Sequence, residues 1–93
     1  MTDAILLHRD RGLLILQLNR PDKKNALTRA MYSQLAAALE QADADTTVNA
    51  VLIQGSSDCF TAGNDIGDFL EQPPTDLDSP PFYFMKSLLN CRK

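Results

Sequence analysis

Between Thr28 and Gly55 the hydrophobic period of the chain changes, and the order of the two periods permits few folds. Leu27, Met31, Leu35, Leu39 and Ala42 recur every three or four residues, the spacing of one face of an α-helix. Ala36, Ala37 and Ala38 add helix propensity. Thr28 stands where its hydroxyl can accept an orphan backbone N–H of the first turn, and the helix is expected to end near Asp43. Asn49-Ala50-Val51-Leu52-Ile53-Gln54-Gly55 follows, a compact β-branched run that reads as a buried central strand. Ahead of the helix, Leu13-Leu14-Ile15-Leu16-Gln17-Leu18 is apolar at most positions, as expected of a strand covered on both faces. Strand, helix, strand in that order implies a right-handed crossover onto a parallel sheet.

The flanking segments complete an α/β reading. Ala4-Ile5-Leu6-Leu7 is a short apolar run followed by Arg9-Asp10-Arg11-Gly12, where Gly12 can supply the positive φ of a tight reversal, so a β-hairpin is expected. Asn19-Arg20-Pro21-Asp22 ends the second strand, because proline donates nothing to the ladder and restricts the residue before it. Residues 66–70 have the character of a short helix. Pro73-Pro74, Asp76, Asp78 and Pro80-Pro81 mark residues 72–81 as an exposed, mobile loop. Phe82-Tyr83-Phe84-Met85 and Leu88-Leu89 then open an amphipathic helix.

Size limits what this arrangement can stabilise. A chain of 93 residues with 44% hydrophobic content can form one domain, but folding removes only roughly 60–65% of its extended-chain surface from water. The apolar run 50–55 calls for cover on two faces, and little sequence is left to provide it. The expectation is therefore an incomplete domain, or subunits that cover one another.

Charge and cysteine content narrow the partners. Charged residues make up 23% and the net charge is -3, a balance that points away from nucleic acid. Asp65, Asp68, Glu71, Asp76 and Asp78 follow one another with no Lys or Arg between them, whereas Lys23 and Lys24 are adjacent. Cys59 and Cys91 lack the spacing of a zinc or redox site and read as reduced thiols, so no metal is expected. Met1-Thr2-Asp3-Ala4 carries an acid in place of a basic leader, and the apolar run after it is cut at His8 and Arg9. A cytoplasmic protein with no membrane partner is expected.

Two segments carry chemistry. Asn19-Arg20-Pro21-Asp22-Lys23-Lys24-Asn25-Ala26-Leu27 joins a strand to the long helix, and Cys59-Phe60-Thr61-Ala62-Gly63-Asn64-Asp65-Ile66 follows the next strand. In this order, with the helix between them, they resemble the enoyl-CoA hydratase/isomerase family, the crotonase superfamily. The likeness runs roughly from Ile5 to Leu70 and implies the amino-terminal part of the crotonase ββα-superhelix fold: a β-hairpin, then β-α-β with parallel pairing, then short helices.

The resemblance implies a function and a set of residues. Members of the family hold an acyl-CoA thioester carbonyl between two backbone N–H donors that stabilise an enolate. The donor after the glycine of the A-G-x-D segment is here Asn64; Gly63 would let ligand and backbone approach closely, and Asp65 reads as an N-cap. Lys23 and Lys24 fall where coenzyme A phosphates are met and Ala26 where main-chain atoms touch the cofactor. Ala62 and Ile66 flank the nucleotide and pantetheine, beside Gly63, Asn64 and Asp65. Coenzyme A would enter only as part of the substrate thioester, with no tightly bound cofactor.

The family's proton-transferring glutamates and its second oxyanion donor lie on later segments that this chain does not contain. Asp65, Asp68 and Glu71 could share a helix face, but an exposed acidic helix start explains them better than an acid/base set. Phe82, Tyr83 and Phe84 are candidates for the acyl-pocket wall. The resemblance implies an enoyl-CoA hydratase (a lyase) or isomerase of fatty-acid or related acyl-CoA metabolism, assembled as a trimer or hexamer; Asn64-Asp65 leans toward the isomerases. The alternative is a non-catalytic CoA-binding or assembly module of the same fold.

Overall fold

The structure is a computed structural model and describes residues 4–56, 58–71 and 79–93. Its elements are β1 (Ile5–Asp10), β2 (Leu13–Leu18), α1 (Arg29–Ala44), β3 (Ala50–Gln54), α2 (Ile66–Glu71) and α3 (Pro80–Asn90). The strands form one mixed sheet in the order β1-β2-β3. β1 pairs antiparallel with β2, and β2 pairs parallel with β3. The hairpin and the β-α-β unit thus share the strand β2, so one long helix has to cover the sheet.

Register decides which side chains it covers. Ile5 lies opposite Leu18, Leu7 opposite Leu16, and Leu16 opposite Ile53. With side chains alternating along each strand, Leu14, Leu16 and Leu18 fall on one face. They pack with Ile5, Met31, Leu35, Ala38, Ala42 and Val48 into the core. Thr28 caps α1 as the sequence implies, its Oγ1 accepting from Met31 N–H at 3.2 Å. Phe84 of α3 packs against this core, its ring 5.6 Å from that of Tyr32. The carboxyl end of the chain is tied to the end of α1, where Lys93 Nζ donates to the carbonyls of Asp45 and Val48.

Several local expectations change in three dimensions. β3 is an edge strand of this sheet, not the central one, and Leu52 on it is 41% exposed. β2 is the strand between two neighbours, but it is buried on alternate residues only, since both helices that pack on the sheet core sit on one face. The positive φ of the hairpin turn belongs to Arg11 (φ 56) and not to Gly12. Pro80 and Pro81 open α3, where the missing N–H of proline costs no helical hydrogen bond. The rest of the expected loop, residues 72–78, lies outside the described residues.

Two substitutions test this core. Leu16 is fully buried at the centre of the packed face, so Leu16→Ala should lower the unfolding free energy by about 2–5 kcal/mol, measured by urea unfolding. A Cβ added at Gly55 would lie 2.4 Å from Phe60 Cα and 2.5 Å from the Cys59 carbonyl oxygen. Backbone cannot give way as a side chain can, so Gly55→Ala should cost at least about 1–3 kcal/mol in the same measurement. Wild-type midpoints in both variants would contradict the packing described.

Candidate functional site

Because β2 and β3 run parallel, the loops that leave their carboxyl ends emerge on the same side of the sheet. Ligand sites of α/β sheets gather at such ends. The first loop makes a 3-10 turn at Pro21–Lys23 and then places Lys24 (φ 51) and Asn25 (φ 57) in the left-handed region. Asparagine tolerates this conformation better than most residues, and here it turns the Asn25 side chain inward, fully buried. Its Oδ1 accepts from Arg20 N–H at 2.8 Å. Its Nδ2 lies 3.3 Å from Ser56 Oγ, 3.2 Å from the Cys59 carbonyl and 3.1 Å from the Phe60 carbonyl. One buried carboxamide therefore joins the first loop to the second. Gly55 permits this, since its missing Cβ lets the 59–60 backbone fold back over it.

The second loop then runs beside the first. Ala62 N–H donates to the Lys24 carbonyl at 3.0 Å, Leu27 N–H to the Gly63 carbonyl at 2.7 Å, and Asp65 N–H to the Leu27 carbonyl at 2.8 Å. Leu27 and Asn64 form an isolated parallel bridge. The Gly63 carbonyl and the Asn64 N–H belong to one peptide unit, and no peptide here is cis. In a trans peptide the two point in opposite directions. With the carbonyl held by Leu27, the Asn64 N–H faces away from the first loop, and among the described residues no acceptor is bonded to it. Gly63 has φ 95, and a Cβ there would meet nothing within 4 Å, so the space beside its Cα is open. The Asn64 side chain is held separately, its Oδ1 accepting from the Tyr32 hydroxyl. Burial pushes the Tyr32 phenol up from its ordinary pKa.

The acidic residues serve the backbone. Asp65 Oδ1 accepts from Asp68 N–H at 3.0 Å at the start of α2, and Oδ2 pairs with Arg20 Nη1 at 3.0 Å. The same Arg20 nitrogen donates to the Ala26 carbonyl at 2.8 Å, so one guanidinium spans both loops. Asp68 Oδ2 accepts from Arg29 N–H at 2.8 Å, capping the first turn of α1 from α2. Asp65 and Asp68 thus cap helix starts, while Glu71 is exposed at the end of α2.

Lys23 and Lys24 are exposed. Lys24 borders a recess of about 240 Å³ with Pro21, Ser56, Asp58 and Cys59. Ala62 is exposed beside it, and Ile66 is 72% exposed one turn further on. Phe82, Tyr83 and Phe84 do not form one wall. Consecutive residues of a helix point about 100° apart. Phe84 lines an apolar cavity of about 230 Å³ with Leu18, Leu27, Ile53, Phe60 and Thr61, directly beneath the second loop. Tyr83 instead bonds Glu40 in a groove between α1 and α3 that no motif residue lines. Arg20, Asn25, Thr61 and Tyr32 were not legible as site residues. In sequence they are ordinary loop and helix residues, and only long-range contacts give them partners.

The Asp65 carboxyl lies below its ordinary pKa, first because Asp68 N–H bonds it and then because Arg20 does. A depressed folded-state pKa adds stability that is present above the unfolded value of about 3.9 and fades as pH falls through the folded one. The stability gap between wild type and Asp65→Asn should therefore be constant above about pH 5 and shrink below pH 4. A gap independent of pH, measured by thermal unfolding across this range, would contradict the pairing.

Comparison with known proteins places these loops in context. Residues 8–92 match the family model described as enoyl-CoA hydratase/isomerase. The chain is 38% identical to the 1,2-epoxyphenylacetyl-CoA isomerase of Escherichia coli over 68 residues, which are 73% of this chain and 26% of that protein. It is 32% identical to the mitochondrial Delta(3,5)-Delta(2,4)-dienoyl-CoA isomerase of Rattus norvegicus, over 84% of this chain and 25% of that protein. Among solved structures, Pseudomonas aeruginosa OdaA superposes with a TM-score of 0.92 at 59% identity, over 97% of this chain and 36% of that one. An enoyl-CoA hydratase/isomerase from Pseudoalteromonas atlantica superposes with a TM-score of 0.87 at 35% identity, over 96% of this chain and 36% of its own. The chain thus spans about a quarter to a third of the length of these relatives. With the family model matched over residues 8–92 and solved relatives superposing over nearly the whole chain, this chain belongs to the enoyl-CoA hydratase/isomerase family, and its fold is the amino-terminal part of the crotonase fold.

Proposed function

We propose that the protein carrying this chain is an acyl-CoA enzyme, a hydratase or an isomerase of enoyl thioesters, and that Asn64 N–H is one donor of its oxyanion hole. The observation that supports this most is the Asn64 N–H, which has no acceptor among the described residues and is held by the Leu27–Gly63 bond so that it faces away from the first loop. When a base removes a proton beside a thioester carbonyl, or water adds to the conjugated double bond, negative charge gathers on the carbonyl oxygen. A donor fixed in place before that charge develops needs no reorganisation as it forms. The Gly63 carbonyl also accepts from Leu27, which polarises the shared peptide and makes its N–H a better donor.

The remaining parts of the reading follow the family. Lys23 and Lys24 meet the coenzyme A phosphates from the exposed 3-10 turn, and Ala26, Ala62 and Ile66 flank the nucleotide and pantetheine. Coenzyme A is part of the substrate, and no separate cofactor takes part. The second oxyanion donor and the proton-transferring carboxylates come from sequence beyond this chain, and the assembled enzyme is a trimer or hexamer acting in cytoplasmic acyl-CoA metabolism. Among the described residues no helix is long and apolar enough to cross a membrane.

Proline lacks the N–H, and among the described residues no backbone hydrogen bond is lost with it, only the side-chain bond from Tyr32. Asn64→Pro in the full-length protein should therefore lower kcat on a 2-enoyl- or 3-enoyl-CoA by about 10²–10³-fold while coenzyme A ester binding, followed by calorimetry, persists. Undiminished turnover by this variant would exclude Asn64 as the donor. Binding of the ester by the full-length protein with no turnover of any enoyl-CoA would favour the non-catalytic module instead.

A further inference from the structure

The backbone amides on either side of Asn64 are all committed: Ala62 N–H to the Lys24 carbonyl, Gly63 N–H to Thr61 Oγ1 at 3.1 Å, and Asp65 N–H to the Leu27 carbonyl. The direction of the Asn64 N–H is therefore set by how Gly63 is held. Its carbonyl is fixed by Leu27, and the peptide after Asn64 is held by the Asp65 N–H bond to the Leu27 carbonyl. The anchor on the preceding side is the Gly63 amide, and it depends on the Thr61 hydroxyl. That hydroxyl has a single proton, and it gives this proton to the Asn25 carbonyl at 2.6 Å. A lone pair is thereby turned toward Gly63 N–H. Asn25 itself is immobilised, with a fully buried side chain bonded to both loops.

The geometry points to Thr61 and Asn25 as positioning residues that aim the oxyanion donor. The relay runs from the Asn25 carbonyl through the Thr61 hydroxyl to Gly63 N–H, and it fixes the plane of the Gly63–Asn64 peptide. This rests on the reading of Asn64 N–H as the donor. A threonine bonded to the amide two residues on is common in turns. The bond to Asn25, 36 positions earlier in the chain, is what ties this turn to the rest of the site.

Thr61→Val keeps the β-branched shape and puts a methyl group in place of the hydroxyl, between the Asn25 carbonyl and the Gly63 N–H. It removes both bonds of the relay, while Thr61→Ser retains them. Loss of an oxyanion donor costs about 10²–10³-fold, and a donor that is present but poorly aimed should cost less. In the full-length protein, Thr61→Val should lower kcat on an enoyl-CoA by about 10-fold with KM changed by less than about 3-fold, and Thr61→Ser should restore kcat. Equal losses in both variants, or none in Thr61→Val, would overturn the relay. Amide hydrogen exchange followed by NMR reads the same contact without any substrate. Gly63 N–H should exchange at least about 10-fold faster in Thr61→Val than in wild type or Thr61→Ser, and equal rates would overturn the relay. If wild type turns over no enoyl-CoA, the functional reading fails, while the exchange result still decides whether Thr61 holds Gly63.

Discussion

The geometry of the site depends on one buried carboxamide. Asn25 is the only fully enclosed polar side chain among the described residues, and its oxygen and nitrogen bind two different loops. A buried polar group left without a partner costs about 1–3 kcal/mol, so the Asn25 amide and the carbonyls of Cys59 and Phe60 each hold the others in place. The loops do not merely lie side by side. The first cannot shift without exposing or stranding groups of the second, and the backbone bonds of Leu27 to Gly63 and Asp65 carry that constraint to Asn64.

Arg20 adds a second, more exposed link. It reaches the Ala26 carbonyl in its own loop and Asp65 in the other. Its partner is about one-fifth exposed, so solvent screens the charge interaction and its worth lies in direction more than in energy. Asp65 is thereby held while it caps α2, and Asp68 of α2 caps α1 in return. The two helix starts and the two loops form one connected backbone network at the carboxyl ends of β2 and β3. The role proposed for Asn64 N–H needs a rigid donor at this place, because a donor that moved as charge developed would lose much of its effect.

The sheet behind the site is less evenly supported. One face packs against α1 and Phe84 of α3, with Leu16 fully enclosed. The other carries Leu6, Leu13 and Ile15 half-buried and Leu52 exposed. β3, which reads as a central strand by composition, has one neighbour in this sheet. Its apolar character is that of a strand inside a larger α/β layer, in keeping with solved relatives of which this chain covers 36%.

Much of this was legible in the sequence, and the boundary between the legible and the illegible follows contact distance along the chain. The period of Met31, Leu35, Leu39 and Ala42, the cap at Thr28, the break at Pro21 and the cap at Asp65 are local, because each depends on residues within a turn or two. Sequence by itself therefore determined the elements, their order, and through the two loop motifs the family. Tertiary structure decided the rest. It buried Asn25, gave the Thr61 hydroxyl a partner 36 residues away, placed β3 at an edge and turned Phe84 away from Phe82 and Tyr83. Hydrogen bonds and packing across such separations depend on how β2, α1 and β3 dock, and no local pattern of residues encodes that docking.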